Sequence, residues 1–317
     1  MANVIHWTFD APRDYERGIR LAGISDLVIS EPGVFEASLT IMRIGRVWLQ
    51  SGSESLARTL HIEIGDLPRC IAFLSNGEAT PIIQSGAEFG ADEVVSFGRN
   101  TSHFQRTFGP MRWAAMSLLP GNLEAAFNTM AGRELGDAST SLRVKPPSAR
   151  ITRLRRLFRE ATRMGISGEA IFDHPEVRRS LEQALIVAMV ACLSTDTEKT
   201  QGSGWHRHQQ IMLRFREWLD ANNHRAVYLQ EVCTALKISA PTLRRCCEEH
   251  LGMSPMQYLR LRRLNLARHE LQRRNSQTSV TATAMNYGFW HLGRFADEYR
   301  ALFGESPSVT LARRSLR

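Results

Sequence analysis

Hydrophobic and polar positions change their rhythm twice along this chain. Between residues 28 and 119, stretches such as "VFEASLTIMRIGRVWLQSG", "HIEIGDLPRCIAFLSNG" and "EVVSFGRNTSHFQRTFGPMRWAAMSLLP" alternate or run apolar briefly, then stop at Gly, Asn or Pro. Short, turn-bounded runs with period two predict β-strands, and their spacing predicts a sandwich or barrel. After Pro146-Pro147 the period lengthens. "SARITRLRRLFREATRMG" sets Ile151, Leu154, Leu157 and Phe158 on one helical stripe, with arginines on the other faces. "HPEVRRSLEQALIVAMVACLST" predicts a second, more apolar helix with Pro175 in its first turn. Two such helices either cap the β layer or form a seam between two copies. The polar stretch "DTEKTQGSG", residues 196–204, ends in Gly-Ser-Gly and reads as a linker.

The last third is helical and internally repeated. "LQEVCTALKISAPTLRRCCEEHLGMSP" and "VTATAMNYGFWHLGRFADEYRALFGESP" each contain a short helix, a tight turn, a second helix and a glycine stop before Ser-Pro. In the first, Ser239 is a natural N-cap, and Leu243, Cys247 and Leu251 face inward. In the second, Phe295, Tyr299 and Phe303 repeat that spacing, and Gly288 supplies the freedom the turn needs. A support helix, a turn and a helix with an exposed leading end make a helix-turn-helix. We place these units at 229–251 and 280–303, joined by one long helix at 254–274. On its surface crowd Arg260, Arg262, Arg263, Arg268, Arg273 and Arg274, some expected to meet backbone and most to be solvated. The reading is thus α+β: a β-rich unit over 1–145, a helical segment over 146–195, a linker, and an all-α unit over 205–317.

Charge sharpens this division. From Trp205 onward there are 18 Lys and Arg against 9 Asp and Glu, whereas residues 1–204 hold 22 against 23. The basic excess therefore sits in the helical third, where a polyanion such as DNA is the simplest partner and a solvated arginine-rich surface the alternative. On the leading edge of the second unit, Trp290, His291 and Arg294 are placed to meet base edges and phosphates; Trp290 and His291 would equally serve to cap the helix and cover the core rim. Five cysteines without CxxC spacing argue against a disulfide framework or zinc site. No apolar run approaches membrane-spanning length and the N-terminus shows no secretory pattern, so a cytoplasmic protein without a membrane partner is expected.

These motifs carry a family resemblance. "SAPTLRRCCEEHLGMSPMQYLRLRRLNLAR" and "GFWHLGRFADEYRALFGESPSVTL" resemble the DNA-binding domain of the AraC/XylS transcription regulators over the last ~113 residues. The resemblance implies double-stranded promoter DNA as partner, read from Ser239, Ala240, Thr242, Arg244 and Arg245 in the first unit and Trp290, His291, Gly293 and Arg294 in the second. It further implies RNA polymerase, a small-molecule effector and a second copy of the chain as partners, and a cupin-like sensor domain before the linker. Three departures stand out. Lys237 occupies a turn position usually held by Gly, Cys246 and Cys247 replace an apolar and aromatic pair and are expected to loosen that core, and Leu292 and Gly293 offer little hydrogen bonding.

The first two-thirds carries no specific motif. His61 and His103 stand apart in sequence, so no metal or other cofactor is expected. "QSGAEFGADEVVSFG", Arg99, Arg106 and Trp113 are candidates for lining an effector pocket. GxSxG, Walker A, GxGxxG and HExxH are all absent, so the expected class is a regulator and not an enzyme. The alternatives are an architectural or protein-interaction factor with little sequence preference, and an enzyme fused to a DNA-binding domain.

Overall fold

The computed structural model describes residues 4–19, 24–66, 69–119, 121–168, 174–195, 203–273 and 278–313. Two antiparallel sheets face each other. The first has seven strands: β1 (Val4–Phe9), β3 (Ala37–Ile44), β4 (Val47–Glu54), β11 (Met111–Leu118), β6 (Cys70–Leu74), β9 (Val94–Phe97) and β12 (Leu142–Val144), in that spatial order. The second has five: β2 (Ile24–Ile29), β5 (Arg58–Ile64), β10 (Thr101–Arg106), β7 (Ile82–Gln84) and β8 (Ala87–Phe89). Strand pairing begins earlier and ends later than the 28–119 span of the pattern. Helices α1 (Pro12–Ile19) and α2 (Asn122–Ala131), which no clear periodicity announces, lie outside that span.

Alternation along each strand sorts side chains into two cores. Met42, Ile44, Val47, Leu49, Ile71, Phe73 and Met116 leave the seven-stranded sheet on one face and meet α3 (Ser148–Ser167) and α4 (Pro175–Leu193). Leu39, Leu74, Phe97, Trp113 and Ala115 leave on the other face and meet Leu27, Leu60 and Ile62 of the five-stranded sheet. Helix α3 contributes Ile151, Leu154 and Phe158, all buried, while Leu157 is only partly covered. Helix α4 contributes Leu185, Ile186 and Met189. Of the two roles open to these helices, capping the sheet accounts for their apolar faces. Residues 196–202 of the linker lie outside the described residues; α5 (Ser203–Ala221) begins at Ser203.

The C-terminal unit does not hang free of the sheets. Val28 of β2 and Phe104 of β10 belong to the same apolar cluster as Phe215 of α5, Leu243, Leu251 and Tyr258. Around that contact, Tyr258 donates its hydroxyl to Asp26 (3.1 Å), and Arg216 stands 3.6 Å from the same carboxylate. Asn265 accepts from Ile29 N–H (3.2 Å) and donates to its carbonyl (3.1 Å). It thereby takes the place of a further strand on β2, an edge of its sheet, and covers polar backbone that would otherwise be open to pairing.

Among the described residues no helix is long and apolar enough to cross a membrane. All five cysteines are free thiols.

Candidate nucleic-acid interface

Both repeated units fold as a helix, a left-handed turn and a second helix. In the first, α6 (Leu229–Leu236) ends at Lys237, whose φ of 54° lies in the left-handed region. A lysine here accepts backbone strain that a glycine would not incur, and its N–H reaches the carbonyls of Cys233 and Thr234. Helix α7 (Ala240–Leu251) then starts from Ser239, whose hydroxyl accepts from Thr242 N–H (3.3 Å). Leu243, Cys246, Cys247 and Leu251 are fully buried against α5, α6 and α8 (Pro255–Gln272). Both cysteines fit a closed core, and burial pushes the Cys246 thiol up to about 11 and the Cys247 thiol far above the usual thiol range, so neither is poised for reaction at neutral pH.

In the second unit, α9 (Val280–Asn286) is capped by Ser279, and Gly288 turns the chain with φ 74°. A Cβ at Gly288 would meet the Ala226 side chain at 2.7 Å, so glycine is required both by conformation and by space. Helix α10 (Leu292–Phe303) follows, with His291 as an N-cap whose side chain makes no cap bond. Phe295, Tyr299 and Phe303 stack edge-on along its inner face at centroid separations of 5.6 and 4.6 Å. Helix α11 (Pro307–Arg313) follows, where Thr310 takes the Tyr299 hydroxyl at 2.9 Å.

The nine residues singled out from the sequence fall into two exposed groups. Ser239, Ala240, Arg244 and Arg245 are exposed and Thr242 is half-buried; Trp290 is 68% exposed, and His291, Gly293 and Arg294 are open to solvent. Each group lies at the leading end of its helix, with the remainder packed. The 52-residue offset between Gly252 and Gly304 aligns Arg294 with Thr242, so the two helices offer different chemistry at equivalent positions. Arg244 Nε bonds Glu248 one turn along (2.8 Å), and Arg294 Nε bonds Glu298 likewise (2.8 Å).

The joining helix corrects one expectation. It runs over Pro255–Gln272, with Ser254 as its N-cap, and most of its described arginines are packed. Arg262 is 4% exposed and donates to the Leu219 carbonyl (3.0 Å). Arg263 lies over the Phe289 ring (5.2 Å), and Arg268 over Phe303 (4.5 Å) with Glu305 at 3.4 Å. A long helix packed between two units must satisfy its polar groups internally, and arginine can do so through stacking and carbonyl contacts. Arg274 lies outside the described residues.

A cavity of about 480 Å³ lies between the two sheets, lined by Trp7, Trp48, Phe97, Trp113, Ile62 and Arg58 among others. Of the sequence candidates for a pocket, Trp113 and Phe97 line it. Arg106 faces the other way and donates to the carbonyls of Leu251 and Gly252 at the end of α7, and Arg99 is not part of the wall. The sequence pattern does not reveal a buried ion pair beside the cavity: Arg58 Nε bonds Glu54 (2.6 Å), whose other oxygen takes the Tyr15 hydroxyl (2.7 Å). Among the described residues, one Arg58 nitrogen, Nη1, has no hydrogen-bond partner. Such spacing, four residues across the bend where the chain passes from one sheet to the other, carries no periodic signal. Among the described residues, no three His, Cys, Asp or Glu side chains group as metal ligands.

Residues 232–313 match a family model described as a helix-turn-helix domain. The chain is 38% identical over 105 residues to the XylDLEGF operon transcriptional activator 1 of Pseudomonas putida, a match covering 33% of this chain and about a third (32%) of that relative's length. It is 34% identical over 121 residues to the XylDLEGF operon transcriptional activator 2 of the same organism, covering 38% of this chain and 77% of that one. Among solved structures, the AraC-like transcriptional activator CuxR aligns over 83% of this chain and 94% of its own at 14% identity, with a TM-score of 0.43. With its two helix-turn-helix units and this likeness to the XylDLEGF activators, the chain belongs to the AraC/XylS family of transcription regulators.

Proposed function

We propose that this protein is a sequence-specific DNA-binding transcription regulator, an activator that responds to a small molecule. The observation that carries the reading is the pair of like-built helices whose leading ends, Ser239 to Arg245 and Trp290 to Arg294, face solvent while their other faces are packed. The 18-residue α8 between them spans roughly 27 Å, of the order of one ~34 Å turn of B-DNA, which suits successive major grooves on one face of the duplex. Genome-wide footprinting tests the reading: discrete protected sites upstream of genes support it, and uniform, sequence-blind protection would favour an architectural factor.

The unequal chemistry of the two helices gives two expected results. Arg244→Ala or Arg245→Ala should weaken binding to a footprinted site roughly 5- to 150-fold, since a bidentate arginine–guanine contact is worth ~1–3 kcal/mol, with a smaller loss on scrambled DNA. Arg294, tied to Glu298 on its own helix and 75% exposed, should contact the backbone. Arg294→Ala is then expected to lower affinity for all sequences alike and to reduce the salt dependence by about one phosphate contact. Titrations of specific and scrambled duplexes across a salt series read both; a changed sequence preference in Arg294→Ala alone would invert the assignment.

For the effector, the support is the cavity. Its indole and aliphatic walls suit an apolar body, and the unpaired Arg58 N–H suits one acceptor group on it. The homodimer uses a surface other than the apolar face of α4, which the sheet covers. RNA polymerase is the further partner an activator requires.

A further inference from the structure

One carboxylate lies among the arginines of the second unit, with no counterpart in the first. Glu298 is mostly shielded, its side chain 14% exposed, and it holds two guanidiniums at once. Arg294 Nε, from its own helix, stands at 2.8 Å; Arg260 on α8 contacts it through Nε at 3.0 Å and Nη2 at 2.7 Å. The 52-residue offset puts Cys246, a buried thiol, at the equivalent position of the first unit. There Arg244 is held only by Glu248 on its own helix, with both side chains at least half exposed, a pairing of little energetic weight. The second unit therefore ties its leading arginine to the joining helix, and the first does not.

A negative charge beside a phosphate-binding surface opposes DNA binding through simple electrostatics. Its retention at this spot is accounted for by order. A free arginine loses rotamer freedom on binding, at a cost of ~0.5–1.5 kcal/mol per immobilised side chain. Two arginines already fixed on one carboxylate, with their outer N–H groups still directed to solvent, meet that cost before DNA arrives.

We propose that Glu298 is a positioning residue for DNA recognition, fixing Arg294 and Arg260 side by side as a paired clamp on the phosphate backbone. The proposal rests on the DNA-binding reading above and adds that backbone contact in the second unit is made by two arginines of fixed spacing, one from each helix.

The test sets charge against order. The probes are a duplex recovered from a random pool by selection with the full-length chain, and its scrambled counterpart. Removing Glu298 raises the net charge by one, so electrostatics alone predicts tighter binding to both. The proposal predicts that Glu298→Ala weakens binding to the selected duplex on the order of tenfold, from the ordering cost of two side chains. Binding to the scrambled duplex should weaken by a similar factor, since a backbone contact is blind to sequence. In an Arg260→Ala/Arg294→Ala background, Glu298→Ala should produce no further weakening. Glu298→Gln, which keeps the shape and an acceptor oxygen, should recover part of the loss, and it serves as the principal variant if thermal melting shows Glu298→Ala to be unfolded. Tighter binding to both duplexes, or an undiminished loss in the double-arginine background, overturns the proposal while leaving the regulator reading intact. A wild-type chain that fails to distinguish the duplexes overturns both.

Discussion

Leu185→Asp is expected to abolish the fold of the N-terminal unit and not to release folded monomers. Leu185 has no exposed surface and sits in the cluster where α4 meets the seven-stranded sheet, among Met42, Val47, Phe73 and Met189. Truncating such a leucine costs ~2–5 kcal/mol through lost burial and the cavity left behind. An aspartate adds the penalty of a carboxyl group with no partner in an apolar layer, several kcal/mol more. The sum is comparable with the ~5–15 kcal/mol that holds a whole domain together. Near-UV circular dichroism and size exclusion of the purified variant check this. A monomer with native near-UV signal would show that this face of α4 belongs to a seam between subunits.

Mild acid should be nearly as damaging. His61, His103 and His250 are 3%, 5% and 0% exposed, and burial holds each down to about 4; at His61 the nearby Arg216 adds to the effect. Because the folded values lie below the ~6.5 of an unfolded chain, the unfolded state takes up protons first as pH falls. Their contribution is thus complete above pH ~6.5 and is lost as pH drops towards 4. Each histidine contributes a slope approaching ~1.4 kcal/mol per pH unit, or ~4 for the three together. Urea unfolding at pH 7.5, 6.5 and 5.5 measures the slope, and His103→Gln should reduce it by up to ~1.4 kcal/mol per pH unit. An unfolding midpoint that did not move between pH 7.5 and 5.5 would show that these imidazoles titrate alike in the folded and the unfolded chain. Two of the three lie at the junction of the units, where Phe104 is flanked by His61 (4.9 Å) and His250 (6.3 Å). Separation of the units should accordingly precede global unfolding.

Helices were the most legible part of the chain. The stripe Ile151, Leu154, Phe158 and the repeated stops at Gly252 and Gly304 are long, periodic signals that local sequence alone produces. Helices α1 and α2 are short, and their buried positions are few: Tyr15 and Ile19 in one, Leu123 and Phe127 in the other. Two large buried apolar side chains in eight or ten residues do not define a period. The leading ends of α7 and α10 were readable because exposure follows from the opposite, packed face. By contrast, the cavity, the Arg58–Glu54 pair, and the packing of Arg262 and Arg268 depend on contacts between segments distant in sequence. Arginine in particular reads as surface by composition, and only the carbonyl or ring that receives it in the fold shows otherwise.

The way β5 and β10 are shared limits how this protein can be rebuilt. Leu60, Ile62 and Gln105 on these strands line the cavity, whereas the intervening His61, Phe104 and Arg106 are turned to the helices that follow. The polar stretch at 196–204 invites a cut-and-paste exchange, joining this β-rich unit to another regulator's helix-turn-helix unit. Such a chimera would leave Phe104 and Val28 without their apolar cover and Asp26 without Tyr258 and Arg216. A working graft must therefore carry across the outer face of two strands as well as the sequence beyond the joint, and the strands that wall the cavity would have to be re-matched to every new partner they are given.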